Sequence, residues 1–86
     1  IGMPYKILPT QEFENDFRKI DSSMQERTKK KIEEVSQDPK RYKHLHYGLA
    51  GYSRIRIGKL RVIFTYNVEK QELYLIKIVF GHKYNE

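Results

Sequence analysis

The chain has no cysteine, no apolar run of the roughly 18 residues a membrane helix needs, and no aspartate or glutamate between Pro39 and Val68. Without cysteine there is no disulfide framework, no thiolate nucleophile and no cysteine-based zinc site, which suits a reducing cytosol. The three histidines do not suggest a metal site either, because His44 and His46 are adjacent alternates and His82 is far off in sequence. No metal or other cofactor is expected. With no apolar span and no charged-then-apolar start, neither a membrane partner nor a signal peptide is indicated, and a cytoplasmic location is the expectation. At 86 residues there is room for one domain with a modest core and none for a separate cofactor module. A single domain over residues 3–86 is expected, with Ile1 and Gly2 set aside as additions before Met3.

The missing acids leave seven basic residues unopposed from Pro39 to Val68: Lys40, Arg41, Lys43, Arg54, Arg56, Lys59 and Arg61, with His44 and His46 among them. Of the 17 basic residues ten remain for the rest of the chain, against all 11 acidic ones, so the formal net charge of +6 arises within this segment. Charge placed in this way marks a surface that meets a polyanion. Tyr42 and Tyr47 lie in the same basic stretch, where a tyrosine can either close the edge of a core or offer its ring to a nucleobase.

Hydrophobic spacing gives a strand, two helices and three strands. Tyr5 to Leu8 reads as a short strand stopped by Pro9. Thr10 is placed to cap a helix carrying Phe13, Phe17 and Ile20 at helical spacing, with Glu12 and Glu14 in the first turn where the helix dipole favours negative charge. Ser22 with Gln25, or Ser23 with Glu26, matches a capping box, so a second helix is expected to start there. Its Met24, Thr28, Ile32 and Val35 form one stripe, Lys29 to Lys31 lie mostly off it as a solvated face or, in a second reading, a contact with a partner, and Pro39 ends it. The two helices should form an antiparallel hairpin.

The hairpin that follows is the most informative part. Ser53, Ile55 and Ile57 alternate with Tyr52, Arg54 and Arg56, and Gly58-Lys59 fits a two-residue type II′ turn. That turn predicts Ile57 opposite Leu60 and Arg56 opposite Arg61. Ile55, Ile57, Leu60, Val62 and Phe64 then point to the core, while Arg54, Arg56 and Arg61 share the other face with Tyr52 and Thr65. Arginines on a sheet are often only a solvated face, but like charges directly opposite each other are destabilising, and stability alone would favour Glu or Thr at one of these places. In the last strand, Leu73 to Phe80, the same alternation predicts Tyr74, Ile76, Ile78 and Phe80 toward the helices and Lys77 with the arginines. His82, Lys83 and Tyr84 follow at the rim of that patch.

This element order, with Tyr42-Lys43-His44-Leu45, Leu49-Ala50-Gly51-Tyr52-Ser53-Arg54-Ile55-Arg56-Ile57-Gly58 and Leu60-Arg61-Val62-Ile63-Phe64, resembles the RelE/ParE superfamily of toxins from type II toxin–antitoxin systems. The resemblance runs from about Met3 to Lys83 and implies an α+β fold in which a helical hairpin packs on one face of a small sheet, in the order β-α-α-β-β-β. RelE-like members are ribosome-dependent endoribonucleases that cut mRNA in the decoding site. By position, the resemblance implies catalytic roles for Arg54, Arg56 and Arg61 and for the C-terminal group His82, Lys83 and Tyr84. Lys83 stands where the family has arginine, a point charge in place of a planar fork, and Tyr84 follows at once where the family's tyrosine comes several residues later. The expected partners are mRNA on the ribosome and a cognate acidic antitoxin, with DNA met only through the antitoxin complex. In the second reading of Lys29 to Lys31, their contact is with antitoxin or ribosome.

The same side chains suit that chemistry unaided. RNA cleavage by its own ribose 2′-hydroxyl needs no metal, only in-line orientation, proton removal, stabilisation of the phosphorane and protonation of the 5′-oxygen. Arginines suit the third task, since their fixed donors can grip two phosphate oxygens. Tyr84, His82 and Lys83 are the candidates for acid and base, and of these only His82 titrates near neutrality without a shift. Lys40, Arg41, Lys43, His44, His46, Tyr52, Lys59 and Lys77 are expected to bind RNA around this centre. Two alternatives stay open: a ParE-like gyrase poison whose arginines have no catalytic duty, and a basic module that binds nucleic acid without cutting it.

Overall fold

The computed structural model describes residues 3–42 and 51–80. Their order is strand β1 (Lys6–Pro9), helices α1 (Gln11–Arg18) and α2 (Ser22–Gln37), a 3-10 turn (Pro39–Arg41), then strands β2 (Ser53–Ile57), β3 (Leu60–Asn67) and β4 (Glu72–Phe80). The strands form one sheet ordered β1-β4-β3-β2, in which β2, β3 and β4 are an antiparallel meander and β1 lies parallel to β4. Parallel neighbours need a crossover, and the helical hairpin lies within the one that leads from β1 back to the sheet. Both helices bury their apolar stripe on one sheet face, so that Phe13, Ile32 and Val35 meet Ile55, Val62, Phe64, Leu73, Leu75 and Ile78 in a single core.

The helix caps show which local signals were strong enough to act. Thr10 caps α1 as expected, its Oγ1 accepting from the Phe13 amide at 3.1 Å. The cap of α2 is Asp21, whose carboxylate accepts from the Met24 amide at 2.8 Å, and the helix therefore begins one residue before the Ser22 box would start it and two before the Ser23 box would. A carboxylate makes the stronger, charge-assisted bond and also meets the positive end of the helix dipole. Gln25, one of the box residues, instead donates its side-chain amide to the Phe17 carbonyl at 2.9 Å and ties the start of α2 to the end of α1.

In β4 the expected alternation holds for only half of the strand. Ile78 and Phe80 face the helices, but Tyr74 and Ile76 do not. Ile63 pairs with Lys77 and the next residue, Phe64, pairs with Leu75, so Ile76 is an extra residue on β4. This bulge reverses the parity, turning Leu73 and Leu75 into the core and Tyr74 to the outer face. Apolar residues occupy both parities of Leu73-Tyr74-Leu75-Ile76, so a period of two could not reveal it.

The bulge lies where β1 ends, and α1 takes over the edge of β4. The Thr10 amide donates to the Leu75 carbonyl at 2.9 Å, the Thr10 hydroxyl donates to the Ile76 carbonyl at 2.7 Å, and the Ile78 amide donates to an Asp16 carboxylate oxygen at 3.0 Å. Thr10 thus caps a helix and closes a bulge with one oxygen. Thr10→Val removes both bonds and is expected to cost about 1–3 kcal/mol, whereas Thr10→Ser keeps both and should stay near wild type, as read from urea midpoints at constant slope. Thr28 is the opposite case, fully buried in α2 with a hydroxyl that has no hydrogen-bond partner among the described residues. Thr28→Val keeps the shape and removes that orphan, and should raise stability by about 1 kcal/mol in the same measurement.

Candidate nucleic-acid interface

Gly58 turns the chain with φ of +59°, while Lys59 keeps a negative φ, the combination a type II′ turn requires. The register is the expected one: Ile57 faces Leu60, Arg56 faces Arg61, Ile55 faces Val62 and Arg54 faces Ile63. Ile55, Ile57, Leu60, Val62 and Phe64 are buried under the helices, and Arg54, Arg56 and Arg61 are left together on the outer face. Lys77 joins them across β3, opposite Ile63. Ile63 faces away from the helices and yet is only 5% exposed. Arg54 and Lys77 flank it on the neighbouring strands, and long basic side chains can lay their methylenes over such a residue while keeping their charge in water.

Arg54 and Arg61 are half-buried and Arg56 is exposed. With Tyr42 and Ile55 they line a cleft of about 280 Å³ along β2, the edge strand of the sheet. Tyr42 follows the 3-10 turn, and its ring stands edge-on to Phe64 with 6.3 Å between centroids, while the Arg41 guanidinium lies 5.9 Å from the ring centre. Of the two readings left open for this tyrosine, the fold shows the first. It closes the core beside Phe64 and walls the cleft.

The other expected RNA-binding residues are spread around this centre. Lys40 and Arg41 are exposed on the 3-10 turn, Lys59 is exposed at the hairpin tip and Tyr52 is half-buried just before β2. Where β2 begins, the Thr65 hydroxyl donates to the Gly51 carbonyl at 2.9 Å. Lys43, His44 and His46, and the whole group His82, Lys83 and Tyr84, lie outside the described residues. Among the described residues no carboxylate pairs with an arginine of the cleft, and the one ion pair is Lys31 with Glu34 at 3.3 Å on α2. Among the described residues two phenols are shifted, both upward. Tyr74, on the outer face, donates to the Glu72 carboxylate, and that bond, with burial and the carboxylate's charge behind it, holds its proton more tightly than usual. Tyr66 is raised by burial first, and then by Tyr5 and Asp38. Neither can serve as a base at neutral pH.

Solved structures that share this fold include toxins and toxin–antitoxin complexes. A chain of the RelBE2 toxin–antitoxin complex from Mycobacterium tuberculosis superposes with a TM-score of 0.83 at 22% identity, covering 90% of this chain and 91% of that one. The isolated RelE toxin of E. coli gives 0.76 at 20% identity over 94% and 92%, and a YoeB/ParE toxin from Agrobacterium tumefaciens gives 0.76 at 21% over 90% and 99%. At these identities the likeness is one of fold, and the fold is that of the RelE/ParE toxins. A search of curated proteins by sequence finds no match. The family model for the ParE toxin of the type II toxin–antitoxin system parDE matches residues 7–83, and the chain belongs to that family.

The facing pair Arg56 and Arg61 sets stability against charge. Arg56→Thr replaces a like-charge pair by a good strand residue and should raise stability by some tenths of a kcal/mol. It should also weaken binding to single-stranded RNA and lower the log–log salt slope by about 0.7 for the lost phosphate contact. Urea unfolding and a salt series of RNA titrations read the two effects separately.

Proposed function

We propose that this chain is a ribosome-dependent endoribonuclease that cuts mRNA by attack of the ribose 2′-hydroxyl and is neutralised by a cognate antitoxin. The observation that carries the reading is the cleft along β2, where three arginines converge with no carboxylate partner among the described residues. A scissile phosphate is the ligand that three such forks fit best. As the 2′-oxygen bonds to phosphorus and the 5′-oxygen leaves, charge grows on the non-bridging oxygens, and donors already in place stabilise it most at that moment. Half-buried Arg54 and Arg61 are the better placed for this, since partial removal from water strengthens their field, and exposed Arg56 steers and docks the strand. The 2′-hydroxyl loses its proton to a base and the leaving 5′-oxygen gains one from an acid. His82, Lys83 and Tyr84 are assigned these two roles. The half-buried ring of Tyr42 offers the base next to the phosphate a surface to stack on.

Low activity on free RNA follows, because alignment of the 2′-hydroxyl with the leaving group would come from the ribosome. The antitoxin would lay an acidic segment across the basic face, and solved relatives such as RelBE2 are complexes of toxin with antitoxin. A second reading, inhibition of DNA gyrase, is favoured by the match to the ParE family model, and in it the arginines bind without catalysing.

Purified protein added to a stalled translation complex should produce new mRNA ends in the decoding site, while gyrase supercoiling run in parallel stays unchanged; the reverse pattern assigns the chain to gyrase. Arg61→Ala should leave ribosome association within a few fold and lower cleavage by about 10²–10³, as expected of a group that acts on the transition state. An equal, modest fall in both would make Arg61 a docking residue of a binding module. Tyr42→Ala should weaken productive binding by about 1–3 kcal/mol and Tyr42→Phe should not, because stacking needs the ring and not the hydroxyl.

A further inference from the structure

A second basic cleft begins where the first one ends. Helix α2 buries Thr28, Ile32 and Val35, and its flank beside β2 carries Arg27, Lys30 and Lys31. These three, with Arg56, Glu34 and the Ile57-Gly58 end of β2, line a cleft of about 290 Å³. Arg56 belongs to both clefts, so the two join over the edge of the sheet. From Arg61 the path runs past Arg54 and Arg56 to Arg27, Lys30 and Lys31, and it meets one acid, Glu34, which is paired with Lys31 at 3.3 Å. Arg27 and Lys30 are exposed and have no carboxylate partner among the described residues. Cations three and four positions apart on a helix repel one another, so the fold gains nothing from this grouping.

We infer that this groove carries the phosphodiester backbone of RNA beyond the phosphate held by Arg54, Arg56 and Arg61. The inference rests on the RNA-cleaving reading and extends it: the toxin grips a length of backbone that leaves the sheet over β2 and continues along α2. Continuity through Arg56 and complementarity of charge favour RNA over an acidic protein, because a regular row of phosphates matches a groove whose cations follow one another along a path. The backbone is that of the bound mRNA strand itself, because the groove is continuous with the cleft through Arg56.

The test compares full-length wild type with a variant carrying Arg27→Gln and Lys30→Gln, both exposed and remote from the core, with a matched urea midpoint as the check on folding. Non-cleavable 2′-O-methyl RNAs of about four and about twelve nucleotides are titrated across a salt series, and association with ribosomes is measured alongside. On the short RNA the two proteins should bind alike. On the long RNA the variant should lose roughly tenfold in affinity and about 1.4 in log–log salt slope, two contacts at about 0.7 each. If the loss appears on ribosomes and not on the long RNA, the groove holds ribosomal RNA instead of a continuation of the bound strand, and the inference is overturned. It is overturned if both RNA lengths and ribosomes bind the variant as they bind wild type, or if only binding to poly-glutamate falls, which would give the groove to an acidic protein. Cleavage of mRNA by wild type and variant alike, with no binding difference, removes the groove and leaves the nuclease. A groove that binds long RNA in a protein that never cuts removes the nuclease and leaves the groove.

Discussion

The Gly58-Lys59 turn decides which residues of β2 and β3 face one another, and the outer face of the protein depends on that choice. A strand repeats every two residues, so a slip of β2 by one position against β3 would carry Arg54 and Arg56 under the helices, away from Arg61, and expose their apolar neighbours. Glycine fits here for two reasons. Its φ of +59° is a conformation other residues adopt at a cost, and a Cβ at this position would stand 3.3 Å from the end of Met24. The tip of the hairpin is therefore held by α2 as well as by its own geometry, and the same contact places the basic flank of that helix beside Arg56.

At the other end of the sheet the problem is an unfinished edge. Pro9 cannot donate to a neighbour, β1 stops, and β4 continues past it for five more residues with backbone groups that need partners. The bulge at Ile76 and the first turns of α1 solve this together. One threonine hydroxyl and one aspartate carboxylate satisfy what a fifth strand would have satisfied, and the reversed parity sends Leu73 and Leu75 into the core beside Phe13. Helix α1 is thus fixed to the sheet by polar contacts from its cap Thr10 and from Asp16 in its last turn as well as by its apolar stripe.

Stability and charge are divided between the two sheet faces. Burying a side chain such as Phe64 or Val62 contributes on the order of 1.5–3 kcal/mol, whereas a like-charge cross-strand pair costs some tenths. A dozen buried apolar residues on the helix side therefore leave room for uncompensated arginines on the other. Ile63 fits this division, being apolar on the charged face and covered there in a row with Arg54 and Lys77.

By itself the sequence determined the elements, the hairpin register and the grouping of Arg54, Arg56 and Arg61, because all three rest on local rules: the spacing of apolar residues, the needs of a two-residue turn and the alternation of a pleated strand. The Thr10 cap was legible for the same reason. The α2 cap was misread because Asp21 and the serine boxes compete within three residues, and a carboxylate wins by its charge. Only the tertiary structure decided the rest. It placed the bulge at Ile76, which answers to where β1 ends at Pro9, 67 residues earlier in the chain (76 − 9). It brought Tyr42 to the wall of the cleft and Arg27, Lys30 and Lys31 to its continuation, because nearness across an edge strand is set by how the helices lie on the sheet, a long-range packing outcome that no local spacing encodes.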